Sequence, residues 1–149
     1  MTKLYSNHGV RFRYPEAWEL TEEEHGRDVV VSVASPETSF WTLSLLEGRP
    51  DPERVLREVV ETFRGEYVEL DEYQAEAKIG GIECQARDLQ FVQYELINSA
   101  FLRACPAGPA TILILYQGTD HELEHTRPIL EQISTSLEWD ESPPIVGYY

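Results

Sequence analysis

Ala110-Thr-Ile-Leu-Ile-Leu-Tyr-Gln-Gly-Thr-Asp120-His-Glu-Leu-Glu-His-Thr-Arg-Pro-Ile-Leu130-Glu-Gln-Ile-Ser-Thr-Ser-Leu-Glu-Trp139 is the stretch that decides the fold. Ile112 to Tyr116 is an unbroken apolar run of strand length, and Gly118-Thr119-Asp120 gives it a turn. Beyond the turn the spacing becomes helical. At about 100° per residue, Leu123, Ile129, Leu130, Ile133 and Leu137 gather on one side. A buried strand feeding a helix with a single apolar stripe is the centre of a layered core, because each element needs the other to cover it.

The same stretch holds His121-Glu122-Leu-Glu-His125, which matches H-E-x-x-H. In zinc peptidases two helical histidines at i and i+4 hold the metal and the glutamate activates its water. Here His121 and His125 fall away from the apolar stripe, beside Glu124, Glu131, Gln132 and Thr135. Acidic residues at a helix start also have an ordinary cause in the macrodipole. Pro128 sits three residues on, where it can start a new turn or kink the helix. A catalytic site needs a third protein ligand, and only Glu138 and Glu141 follow Glu131 as carboxylates. A small zinc-dependent hydrolase using His121, Glu122 and His125 is therefore the second functional reading, and no catalytic, cofactor-binding or metal residue is assigned.

Working outward, Gly9 to Tyr14 alternates as a half-buried strand stopped by Pro15, with Trp18 free to fold over the sheet end. Glu22-Glu-Glu24 with His25-Gly26 reads as a solvated loop. Asp28–Ala34 and Phe40–Leu46 read as a hairpin joined by Ser35-Pro-Glu-Thr-Ser39. Asp51-Pro52 opens a helix with a cap and a first-turn proline, carrying Val55, Leu56, Val59, Val60 and Phe63 inward to Gly65. Strands follow at Tyr73–Ile79, Ile82–Gln93 and Leu96–Cys105. Gly80-Gly81 makes the first turn, and Tyr94-Glu95 marks a bend or bulge with no glycine to announce it. Pro106-Ala-Gly-Pro109 breaks the chain before the last strand. The order β-β-β-α-β-β-β-β-α, with hairpin-length connections, predicts an α+β fold: a mainly antiparallel sheet of about six or seven strands with both helices packed on it. Residues 1–140 make one domain, and 141–149 an extended tail that is either disordered or docked by Ile145, Tyr148 and Tyr149.

With 149 residues, 42% of them hydrophobic, the chain can bury a core without metal or disulfide staples. Its 12 basic and 27 acidic side chains give a net charge of −15, which repels phosphate backbones and anionic lipid; no nucleic acid and no membrane partner is expected. The aromatics, interleaved with carboxylates, do not suit base stacking either. The N-terminus lacks the apolar segment of a signal peptide, so the expected location is cytoplasmic. Cys84 and Cys105 each lie ten positions from the Tyr94-Glu95 pair, so a hairpin turning there sets them opposite one another. They are either two reduced, buried thiols or a redox pair. Glu69, Asp71, Glu72 and Glu76 form a carboxylate-rich strand face without a calcium-loop pattern.

Two local patterns carry a resemblance. Gly9-Val-Arg-Phe12-Arg-Tyr14-Pro15-Glu-Ala-Trp18 is a strand followed by Pro and Trp. Thr111-Ile-Leu-Ile-Leu-Tyr116 through Asp120 to Pro128-Ile-Leu-Glu-Gln-Ile-Ser-Thr-Ser-Leu137 is a last strand and last helix. With the element order they resemble the PsbP-like superfamily, over roughly residues 5 to 139. That superfamily includes an extrinsic photosystem II subunit, a Ran-binding nuclear-transport factor and bacterial single-domain proteins. The resemblance implies an α-β-α arrangement around a curved antiparallel sheet, and a non-enzymatic protein-interaction or assembly module whose partner is another protein. A small apolar ligand held between sheet and helix is the third reading.

Overall fold

The computed structural model describes residues 1–140, and the expected tail lies outside them. Twelve elements run in the order β1 (Thr2–Asn7), β2 (Val10–Pro15), β3 (Glu19–His25), β4 (Asp28–Ala34), β5 (Phe40–Glu47), α1 (Pro52–Glu66), β6 (Leu70–Ile79), β7 (Ile82–Gln93), β8 (Leu96–Ala107), β9 (Ala110–Thr119), α2 (Asp120–Thr135) and β10 (Glu138–Trp139). Seven strands form one antiparallel sheet in the order β3-β4-β5-β9-β8-β7-β6, and β1-β2-β10 form a second, three-stranded sheet. The predicted α+β class holds. The single sheet of the sequence reading becomes two.

Strand alternation sends the sheet's two faces to two cores. Leu113 and Leu115 of β9 join Leu89, Phe91, Ala100 and Leu102 under Leu56 and Val60 of α1. Ile112, Ile114 and Tyr116 face the other way, into the larger cluster with Val31, Val33, Trp41, Phe12 and the α2 residues Leu123, Leu130, Ile133 and Leu137. The β9 strand is thus buried on both faces, which is why its sequence is a continuous apolar run. Asp51 caps α1 by accepting from the Arg54 amide at 3.2 Å, and the helix runs one residue past Gly65, to Glu66. The α2 helix continues through Pro128 from Asp120 to Thr135; Ile129 on its stripe is only half-buried.

Several elements depart from the sequence reading, among them the short strand β10, which it did not contain. Glu22-Glu23-Glu24 is solvated but not a loop: Glu19 to His25 pairs along the whole of β4. An edge strand touches the core on one side at most, and here only Leu20 packs inward, so no apolar period marks it. Thr2–Asn7 buries only Tyr5 and escapes for the same reason. Pro106-Ala-Gly-Pro109 is not a break; β8 continues through Pro106 and Ala107, and Gly108-Pro109 alone turns the chain, with Ala107 opposite Ala110. Tyr94-Glu95 is a two-residue turn with φ of 51° and 63°, left-handed backbone that non-glycine residues adopt at a cost. Gly80-Gly81 turns as expected.

Candidate functional site

The H-E-x-x-H string begins at the first turn of α2, where Thr119 is the N-cap and its Oγ1 accepts from the Glu122 amide at 3.2 Å. Thr119-Asp-His-Glu122 has the spacing of a capping box. Glu122 does not reach back to the cap amide. It turns into the protein and accepts from Thr38 N at 3.0 Å, Ser39 N at 3.1 Å and Ser39 Oγ at 3.0 Å, as well as from Thr38 Oγ1 and from Thr119 Oγ1 at 3.3 Å. Burial alone pushes this carboxyl up, but the hydrogen bonds from Thr38 and Ser39 outweigh it and hold the group below the usual carboxylate range. Gly118 leaves room for the arrangement: a Cβ there would lie 2.5 Å from Ser39 Oγ. Glu122 is a tether between α2 and the β4–β5 hairpin.

His121 and His125 stand exposed on the outside of the helix. The His125 Nε2 lies 3.4 Å from a Glu37 carboxylate oxygen. The glutamate that would activate a water points inward, away from any position the two imidazoles could share. Among the described residues, no group of three His, Cys, Asp or Glu side chains comes together to hold a metal. Replacing His121 or His125 with Ala is expected to change the unfolding free energy by less than about 0.5 kcal/mol, measured by urea denaturation, because neither supports the core.

Several other carboxylates serve ion pairs and hydrogen bonds. Glu22 takes the Tyr5 hydroxyl, the Asn7 amide at 3.4 Å and His8 at 3.2 Å, and Glu23 lies 3.1 Å from His25. Glu72 pairs with Arg64 at 2.9 Å and Arg87 at 3.4 Å; Glu69, Asp71 and Glu76 are exposed. Between α1 and the sheet runs an open groove of about 450 Å³, lined by Asp28, Glu47, Arg54 and Glu58 as well as Val55 and Leu113. That is a mixed surface trough, not the enclosed apolar pocket a small apolar ligand would need.

A different place stands out, which the sequence reading did not single out. At the tip of the β7–β8 hairpin Val92 is 45% exposed, Tyr94 88%, Leu96 54% and Ile97 49%. Val92 and Ile97 are direct cross-strand partners. Tyr67, which caps the end of α1, stacks on Phe91 of β7 with ring centroids 4.2 Å apart, and Val68 in the following loop is wholly exposed. The α2 helix lies over β9, β8 and β5, leaving this end of the sheet without a helix on that face. The sequence signal was there: Val92, Leu96 and Ile97 flank, and Tyr94 occupies, a turn that would ordinarily be polar.

Two antiparallel sheets with helices on opposite faces of the larger one make a PsbP-like α+β fold. Solved structures agree. The cyanobacterial PsbP of Synechocystis is similar with a TM-score of 0.59 at 13% identity, over 93% of this chain and 92% of that one. A Pseudomonas aeruginosa protein of unknown function, described as a candidate regulator, gives 0.57 at 15% identity, over 93% and 97%. A Bacteroides thetaiotaomicron protein gives 0.58 at 13% identity over 89% of this chain, which spans only 45% of that longer one. At such identities the likeness is one of fold. The chain matches no protein-family model and no curated protein. Among the described residues no helix is long and apolar enough to cross a membrane.

Proposed function

We propose that the chain is a non-enzymatic protein-interaction or assembly module, with the β7–β8 hairpin tip as its contact surface and the cytoplasm as its compartment. The observation that carries this reading is the run of large apolar side chains exposed at the tip: Val92 and Ile97 paired on one face, Leu96 on the other and Tyr94 in the turn between them. Exposed apolar clusters with a polar rim mark surfaces that another molecule covers. Glu95 lies in the turn, and Glu69 precedes Leu70, which pairs with Phe91 just below the tip, so the favoured partner presents basic groups around an apolar centre. A second copy of this chain, with its own charge of −15, is disfavoured by repulsion.

The test is affinity capture from native-expression lysate with the wild type, an Ile97→Lys variant and an Arg57→Ala control on the far side of α1. The same protein should be recovered by wild type and control, and its yield should fall about tenfold or more with Ile97→Lys, as for loss of a central interface anchor. Equal recovery by all three, or no reproducible partner, sinks the reading.

A further inference from the structure

Cys84 and Cys105 were expected to be opposed, and the structure brings them together. Gln85 faces Ala104 in the last pair of the β7–β8 ladder, and the two cysteines occupy the next opposed positions. There the strands part company: β7 continues with β6 as far as Ile79 opposite Ile82, and β8 with β9 as far as Ala107 opposite Ala110. Pro106, one residue on, has no amide hydrogen to give β7. Both sulfurs lie on the face toward the larger core, and the Cys105 thiol hydrogen-bonds to Cys84. Their surroundings differ. Cys105 is 1% exposed, whereas Cys84 lines a surface recess of about 360 Å³ with Glu76, Ala77, Lys78 and Glu83. The hydrogen bond from Cys105 is the largest influence on the Cys84 thiol; against the opposing effect of burial, and with the Arg103 charge helping, it draws the thiol below its ordinary value.

We infer that Cys84 and Cys105 form a peroxide-responsive dithiol, with Cys84 the attacking thiolate and Cys105 the resolving thiol. The Cys84 thiolate attacks one oxygen of a hydroperoxide, the O–O bond breaks, and the other oxygen leaves as hydroxide or alkoxide, giving a sulfenic acid at Cys84. The Cys105 sulfur then attacks the sulfenic sulfur, the S–O bond breaks, and water leaves with the Cys105 proton. Two thiols are oxidised to one disulfide and one hydroperoxide is reduced to water and its alcohol or second water. Opposed antiparallel positions lie about 4.5–5.5 Å apart at Cα, inside the span a disulfide bridges. The product ties β7 to β8 where their own hydrogen bonds have stopped. It does not depend on the function proposed for the hairpin tip at the other end of these strands.

The experiment treats the reduced full-length chain with hydrogen peroxide and reads intact mass, alkylation of free thiols after denaturation, and thermal melting. Wild type should lose the mass of two hydrogens, protect both cysteines from alkylation, regain them with dithiothreitol and melt several degrees higher when oxidised. Cys105→Ser should stop at a sulfenic acid on Cys84, trapped by dimedone. Wild type whose two thiols both remain alkylatable overturns the proposal, and the mass measurement needs no variant to say so. Disulfide-linked dimers, sulfinic acid at Cys84 with Cys105 still a thiol, or dimedone labelling of Cys105 in Cys84→Ser at the wild-type rate overturn it equally.

Discussion

Glu122→Ala should lower the unfolding free energy by about 3–5 kcal/mol, because it strands several donors at once. Thr38 N, Ser39 N and the Ser39 hydroxyl all donate to this carboxylate, and Ser39 is only 1% exposed. Glu122→Gln keeps one acceptor oxygen and should cost less, about 1–2 kcal/mol. Against a total of roughly 5–15 kcal/mol for an ordinary domain, the alanine variant sits near the edge of folding. Acid should show the same tether. The folded carboxyl lies below its ordinary value, so the unfolded chain takes up the proton first as pH falls. The stability contributed by Glu122 is complete above its unfolded pKa of about 4.3 and is lost as pH drops through the lower folded value. Urea denaturation across that window should therefore have a shallower pH slope in Glu122→Gln than in wild type. Equal slopes would mean that the hydrogen bonds do not favour the charged form.

Trp41→Ala should cost about 3–5 kcal/mol. The side chain is fully buried, its ring lies 4.7 Å from that of Phe12, and its Nε1 donates to Ser134 Oγ at 2.8 Å. One residue thus joins β5 to β2 of the smaller sheet and to the last turn of α2. Trp41→Phe separates the two roles. It keeps most of the ring packing but leaves Ser134 without its donor and a gap where the indole was, for about 1–3 kcal/mol. Guanidinium denaturation followed by far-UV circular dichroism measures both. A Trp41→Ala loss below about 1 kcal/mol would mean that the smaller sheet docks without it.

Legibility in the sequence followed burial. The β9 strand and the two helices announced themselves because whole faces of them enter a core, and the β4–β5 hairpin because Val29, Val31 and Val33 supply its inner face. Strands β1 and β3 did not, since a strand paired along one side with little core behind it has no apolar period to show. The cysteine contact followed from counting outward from Tyr94-Glu95, although the turn itself has no glycine. The role of Glu122 as a tether was not legible for a different reason. The same residue belongs to two overlapping patterns, H-E-x-x-H and the Thr119-x-x-Glu122 cap, and only the direction of its side chain separates them. That direction is set by Thr38 and Ser39, more than 80 residues earlier, beyond the reach of any local pattern.

The larger sheet ends in β3 on one side and β6 on the other, and both outer strands are lined with charge: Glu22, Glu23 and Glu24 on one, Asp71, Glu72, Glu76 and Lys78 on the other. A second chain adding to either ladder would have to bring its backbone alongside those carboxylates and desolvate them, and a copy of this chain would bring matching negative charge of its own. The sheet is therefore closed to growth at its borders even though it never curls into a barrel. Crowded together, the molecules can touch without polymerising.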